Sequence, residues 1–106
     1  MTRLEQLFHF LKDSPQDSFL NFAIAKEYEA LDDKKNAFEY YHKLIGENED
    51  YVGTYYHLGK LYEKINQHTD AIITYKKGME IAQKQGDRHS YSELAAAKLD
   101  LSDEDE

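Results

Sequence analysis

The 106-residue sequence contains no cysteine, no tryptophan and a single proline, Pro15. The absence of cysteine excludes disulfides, thiolate metal sites and cysteine nucleophiles, and it agrees with a reducing, cytoplasmic location. One proline leaves nearly the whole chain without the residue that most strongly interrupts helices. Apolar runs fall far below the ~20 residues that a membrane-spanning helix needs, and the amino terminus does not resemble a signal peptide. We therefore expect a soluble protein with no membrane partner.

Acidic residues outnumber lysine and arginine, 21 against 13, and the formal net charge is -8. Four of the acidic residues occupy positions 103–106. We expect an acidic, flexible tail over 102–106, after a single domain over 1–101. Because a negative field repels phosphate backbones, we expect no nucleic-acid partner.

One residue pattern is written twice, over residues 17–50 and again 34 residues later over residues 51–84. The pairs that recur in register are Ala25 with Gly59, Tyr28 with Tyr62, Ala37 with Ala71 and Tyr41 with Tyr75. A repeat that cannot bury its own apolar face must stack on its neighbours. The period therefore predicts an array of short helices that offers surfaces for binding.

Apolar spacing within each period is helical, and turn-forming residues interrupt it at two corresponding places, 32–34 and 66–68. Thr2 with Glu5 has the form of a capping box at the start of the first helix. The sequence predicts helices near 2–13, 17–31, 35–47, 51–65, 69–84 and 87–101.

The 34-residue frame also assigns the two flanking helices. Leu7 corresponds to Tyr41 and Tyr75, so the first helix has the pattern of the second half of a repeat. The last helix corresponds to a first half, with Glu93 in the position that the repeats give to a small residue. The predicted fold is all-α, with six helices in the order half repeat, two full repeats, half repeat.

Two motifs carry a family resemblance. Tyr55-x2-Leu58-Gly59-x2-Tyr62 followed by Ala71-x3-Tyr75 resembles the tetratricopeptide repeat pattern. The earlier copy is similar but has Asn21 in the position of the large aromatic residue. The family shares a scaffold and not one ligand, so the resemblance predicts fold more strongly than function.

This resemblance implies a right-handed α-α superhelix whose first helices line a concave groove that binds a peptide or a partner helix. Carried over position by position, the groove residues would include Phe19, Phe22, Lys26, Tyr56, Lys60 and Lys64, and from the last helix Asp87, Ser90, Leu94, Ala97 and Lys98. Aromatic rings beside lysines suit a ligand with an apolar side chain and a carboxylate. In the alternative interpretation Phe22 and Tyr56 pack between helices and the lysines form a solvated rim.

Some members of the family clamp the C-terminal carboxylate of heat-shock chaperones with lysine, asparagine and arginine. Only Lys26 is basic among the matching positions here, so we do not expect that activity. We expect instead a non-catalytic protein–protein interaction module or scaffold whose partner is a protein or peptide.

No group of residues suggests catalysis. The five histidines are scattered over the chain without an HExxH motif, and no glycine cluster resembles a phosphate loop. We expect no enzyme activity, no metal and no cofactor. A small-molecule-binding or catalytic protein is a further alternative that no motif supports.

The first helix offers a competing surface. Phe8 falls where the frame places the polar residues His42 and Lys76, and Phe10 falls where it places Leu44 and Gly78. If both rings are exposed they favour self-association, for example as a homodimer. In the alternative interpretation Phe8 folds over the second helix as a lid.

Overall fold

A computed structural model describes residues 1–104, and within them it contains six α-helices and no strand. The predicted all-α repeat fold is confirmed. The helices are α1 Arg3–Leu11, α2 Ser18–Ala30, α3 Lys34–Glu47, α4 Gly53–Lys64, α5 His68–Gln85 and α6 Arg88–Glu104.

The chain is divided into two compact units, Met1–Tyr51 and Val52–Glu106. The boundary falls beside the start of the second 34-residue repeat. The first unit contains α1, α2 and α3, and the second contains α4, α5 and α6.

Local signals in the sequence set the helix ends. Thr2 Oγ1 accepts a hydrogen bond from Glu5 N, and Glu5 Oε1 accepts one from Thr2 N, each at 3.1 Å. The predicted capping box is therefore confirmed, and the backbone hydrogen bond from Thr2 lowers the pKa of Glu5. Asp32 and Asn66 adopt φ angles of 59° and 61°, the left-handed conformation that Asp and Asn tolerate. The two predicted breaks are confirmed at these residues.

In the first unit, Leu7 of α1 is buried against Ala23 and Ile24 of α2. Partly buried apolar residues surround these three, namely Leu4, Phe8, Leu11, Leu20, Tyr28 and Tyr40. Since Tyr40 belongs to α3, all three helices contribute to one apolar core.

In the second unit, two glycines allow close packing of helices. A Cβ atom at Gly78 of α5 would lie 2.6 Å from the Cβ of Tyr55 and 2.9 Å from Leu94 Cδ1. A Cβ at Gly59 of α4 would lie 2.7 Å from ring atoms of Tyr75. Both positions therefore favour glycine for space, because helical φ/ψ angles alone do not require it.

The predicted register of the last helix is wrong. Leu94 and Ala97, assigned to the groove, are 1% and 5% exposed. α5 has 18 residues against 14 in α3, and Leu94 fills the space that Gly78 leaves open. The longer helix and this contact shift α6 relative to the 34-residue frame.

The predicted end of the last helix is also corrected. α6 continues through Glu104, beyond the predicted end at residue 101. Leu94, Ala97 and Leu101 recur at helical spacing and are buried, and Ser102 Oγ donates a hydrogen bond to Lys98 O at 3.1 Å. These contacts extend the helix into the predicted tail, of which Asp105 and Glu106 lie outside the described residues.

Candidate binding surfaces

The first and second helices of each repeat are joined by a buried tyrosine. Tyr41 Oη donates a hydrogen bond to Glu29, and Tyr75 Oη donates one to Glu63, so the same pair occurs in both repeats. Burial, and then the hydrogen bond to the carboxylate, raises the pKa of both tyrosines. The two hydrogen bonds thus connect the C-terminal part of α2 to α3 and the C-terminal part of α4 to α5.

Tyr56, Lys60 and Lys64 lie along α4; we call them the α4 surface. The Tyr56 ring is half-buried, with its centroid 6.4 Å from that of Tyr75. Lys60 Nζ lies 5.5 Å from the Tyr56 centroid and 3.5 Å from Glu63 Oε2. Lys64, one turn further on, is exposed. The Tyr56 ring thus packs against the buried Tyr75 and lies close to the positive charge of Lys60.

Phe19, Phe22 and Lys26 lie along α2; we call them the α2 surface. Phe22 is half-buried, with its centroid 6.3 Å from that of Tyr41 and 5.6 Å from that of Tyr51. Phe19 is 63% exposed, and Lys26 is exposed. Phe22 and its counterpart on α4 each touch the core and still keep one part at the surface.

Asn21 has a role that the sequence pattern did not reveal. Its side chain is fully buried, and Nδ2 donates hydrogen bonds to Pro15 O at 3.2 Å and to Asp17 O at 2.9 Å. Its Oδ1 accepts a hydrogen bond from Lys43 Nζ at 2.9 Å. Asparagine therefore stands in the aromatic position because it satisfies carbonyls of the α1–α2 connection. The only signal in the sequence was its departure from the pattern.

The two phenylalanines of α1 have different surroundings. Phe8 packs edge-on against Tyr28 and Tyr40, with centroid distances of 6.3 Å and 5.9 Å. Phe10 is 60% exposed. Phe8 thus lies over α2, within the core of the first unit, and Phe10 alone presents most of its ring to solvent.

Cavities open at the surface of both units. One of about 500 Å³ lies beside the α1–α2 connection, lined by Pro15, Asp17 and Lys43 among others. Another of about 380 Å³ lies between α5 and α6. Within residues 1–104, no three histidine or acidic side chains are grouped so as to hold a metal ion. No helix in that span has the length and apolar character needed to cross a membrane.

Two helix pairs repeated 34 residues apart, each with a small residue and a tyrosine buried at corresponding positions, define a helical-hairpin repeat protein. The tetratricopeptide repeat family model matches residues 20–51 and 52–85. Because these matches cover more than half of the chain, the protein belongs to the tetratricopeptide repeat family. The resemblance inferred from the sequence is confirmed.

Solved structures are similar over most of the chain. The crystal structure of a tetratricopeptide repeat domain protein from Salinibacter ruber is 43% identical, with a TM-score of 0.77, and the similarity covers 81% of this chain and 96% of that one. A solution structure of such a protein from the same organism gives a TM-score of 0.80 at 43% identity, over 83% of this chain and 89% of that one.

A protein from Bordetella parapertussis, 22% identical, has a TM-score of 0.85 over 99% of this chain and 91% of its own, which supports the fold alone. Among curated proteins, none is significantly similar in sequence. Tetratricopeptide repeat domains are in general protein–protein interaction modules and are typically non-catalytic.

Proposed function

We propose that the protein binds a peptide segment or helix of another protein, without catalysis, through the α2 and α4 surfaces. The observation that supports this is the recurrence of one arrangement in both repeats. A half-buried ring, Phe22 or Tyr56, rests on a buried tyrosine, and a lysine follows four residues later. Each surface is proposed to contribute its own contacts to the partner.

The supported rings suit binding for an energetic reason. Because Phe22 and Tyr56 already contact the core, they lose little side-chain freedom when a ligand covers their exposed parts. Aromatic residues that act as rigid anchors are frequent among the residues that dominate binding energy.

The lysines define the chemistry of the partner. Lys60 lies against both the Tyr56 ring and the Glu63 carboxylate, so part of its charge is already balanced. Lys26 on α2 and Lys64 on α4 are exposed, and each of them, like Lys60, also interacts with other groups of the protein. We expect a partner segment with an apolar side chain for the rings and an acidic group within reach of these lysines.

The experiment compares captured partners between variants. Immobilised protein is exposed to extract of the source cells, and the retained proteins are identified for the wild type and for Phe22→Ala/Tyr56→Ala. The control variant is Leu31→Ala/Ile73→Ala, which removes two apolar side chains that are each 59% exposed outside the proposed surfaces. Circular dichroism checks that each variant is folded.

We expect the partner to be retained by the wild type and the control and lost by Phe22→Ala/Tyr56→Ala. A second pair tests charge: Lys26→Glu/Lys64→Glu should lose the partner, and Lys35→Glu/Lys84→Glu, on exposed positions of α3 and α5, should keep it. The proposed surfaces are wrong if a folded Phe22→Ala/Tyr56→Ala variant keeps the same partner.

A further inference from the structure

Phe10 occupies a position that is buried elsewhere in the chain. One repeat later the same position is Leu44, which is 1% exposed, and two repeats later it is Gly78, which is buried against Tyr55 of the preceding helix. Phe10 itself is 60% exposed. By their place in the 34-residue repeat, we call α2, α4 and α6 first-type helices and α1, α3 and α5 second-type helices. The position that in α5 packs on a first-type helix therefore presents an aromatic ring to solvent in α1.

A complementary opening exists in the second unit. The cavity of about 380 Å³ between α5 and α6 is lined by Lys76, Met79, Glu80, Gln83, Tyr91 and Lys98. We call it the α5–α6 cavity. Tyr91 is 37% exposed and also lines a neighbouring cavity of about 470 Å³ at the α5–α6 turn.

The first unit shows what fills this place in the repeat. Lys76 and Met79 of α5 stand two repeat lengths after Phe8 and Leu11 of α1. Phe8 and Leu11 pack against a cluster that Tyr40 of α3 also covers, and the Phe8 ring contacts Tyr40 directly. In the first unit the place is therefore occupied by a second-type helix, α3, whereas in the second unit the described residues leave it open.

We propose that the chain associates with itself head to tail, with α1 of one copy seated in the α5–α6 cavity of the next. α1 is a second-type helix by register, as α3 is, and α6 is a first-type helix. Seating α1 there gives Phe10 the helix contact that its counterparts have. It also covers the α5–α6 cavity with a second-type helix, as α3 covers the corresponding place in the first unit.

The exposed stripe of α1 fits the chemistry of the cavity. Gln6 and Phe10 of α1 are four residues apart and both exposed, and Asp13 is exposed in the turn that follows α1. Phe10 would cover apolar atoms of Met79 and Tyr91. Asp13 would come near the ammonium groups of Lys76 and Lys98, which line the same cavity.

Such an interface is heterologous, because each copy uses two different surfaces. It leaves one α1 and one α5–α6 cavity open at the ends of any linear assembly. The number of copies in the assembly must then grow with protein concentration, unless the copies close into a ring. A symmetric dimer through α1 alone would stop at two copies.

Sedimentation velocity from micromolar to millimolar protein tests the proposal. The wild type should exceed the dimer mass as concentration rises, and Phe10→Asp and Tyr91→Asp should each stay monomeric. A mixture of the two variants should form a 1:1 dimer and nothing larger. Phe10→Asp keeps its α5–α6 cavity and Tyr91→Asp keeps its α1, so one intact interface forms.

Leu31→Asp, a comparable change at a residue that is 59% exposed on the first unit, should behave as the wild type does. Should either aspartate variant fail to fold by circular dichroism, Phe10→Ser and Lys98→Glu replace them with the same expected outcomes. A wild type that stays monomeric at millimolar protein overturns the proposal. So does a Tyr91→Asp variant that associates like the wild type, or a mixture that stays monomeric. None of these residues belongs to the α2 or α4 surface, so the outcome is independent of the proposed partner binding.

Discussion

Replacing Gly59 with alanine gives a direct test of how α4 and α5 pack. The new Cβ would lie 2.7 Å from Cδ1 and Cζ of Tyr75 and nearer still to Cε1. The Tyr75 ring is 0% exposed, and its hydroxyl is bonded to Glu63, so it has little freedom to move aside. We therefore expect Gly59→Ala to force apart the two helices of the second repeat.

The expected cost follows from two opposing terms. Overpacking a well-packed core costs about 1–3 kcal/mol. Replacing glycine by alanine inside a helix returns up to about 1 kcal/mol. We expect Gly59→Ala to lower the free energy of unfolding by about 1–2 kcal/mol, taking the middle of the first range.

Gly46→Ala is the matched control, because the same substitution there meets no atom within 4 Å. It should leave stability unchanged or raise it by up to about 1 kcal/mol. The assay is urea denaturation followed by circular dichroism, with hydrogen exchange of α4 and α5 amides to locate the loss. Overpacking at Gly59 is ruled out if both variants are as stable as the wild type or if Gly46→Ala is destabilised equally. The first result would mean that α4 and α5 move apart at little energetic cost.

Three further predictions concern buried polar groups. Thr54 Oγ1 is buried without a hydrogen-bond partner, whereas Thr74 Oγ1 donates to a backbone carbonyl at 2.8 Å. In urea denaturation Thr54→Val should therefore gain about 1 kcal/mol and Thr74→Val should lose about 0.5–1.5 kcal/mol, and equal effects would contradict this contrast. The raised pKa values of Tyr41 and Tyr75 mean that stability is fully present below the ordinary tyrosine pKa of 10.0 and falls as pH rises above it. Each tyrosine contributes about 1.4 kcal/mol per pH unit there, so either Tyr→Phe variant should flatten the alkaline decline measured by denaturation at several pH values; an unchanged slope would refute the assignment. Asn21→Ala should cost about 1–3 kcal/mol, since it removes three hydrogen bonds made by a fully buried side chain, and a silent substitution would show that water replaces the amide.

The repeat, the capping box and the two left-handed turns were all predictable from the sequence because each depends on residues close together in the chain. Asp32 and Asn66 are 34 residues apart, and each adopts a left-handed turn conformation that few other residue types accept. The family resemblance could be inferred for the same reason. Its small and aromatic positions are fixed by contacts that every repeat must make.

The register of α6 and the role of Asn21 depend on contacts that the period does not encode. Leu94 is buried because Gly78, in the preceding helix, leaves space for it. Asn21 is explained only when the carbonyl of Pro15 and the ammonium of Lys43 are brought to it by folding. A fixed 34-residue period cannot predict either feature, because each depends on a contact that is particular to one place in the chain.

Departures from the repeat thus fall into two kinds, and the distinction bears on function. Asn21 and Gly78 depart from the pattern but are buried. The Asn21 amide is hydrogen-bonded, and Tyr55 and Leu94 fill the space beside Gly78, so folding accounts for both residues. Phe10 departs from it and is 60% exposed, and contacts within the first unit give no reason for an aromatic ring there; Tyr91, on the shifted α6, is also exposed at 37%. Exposed aromatic rings are costly to keep in water and gain free energy when a partner covers them. The residues that folding does not explain are therefore the ones at which association should first be sought.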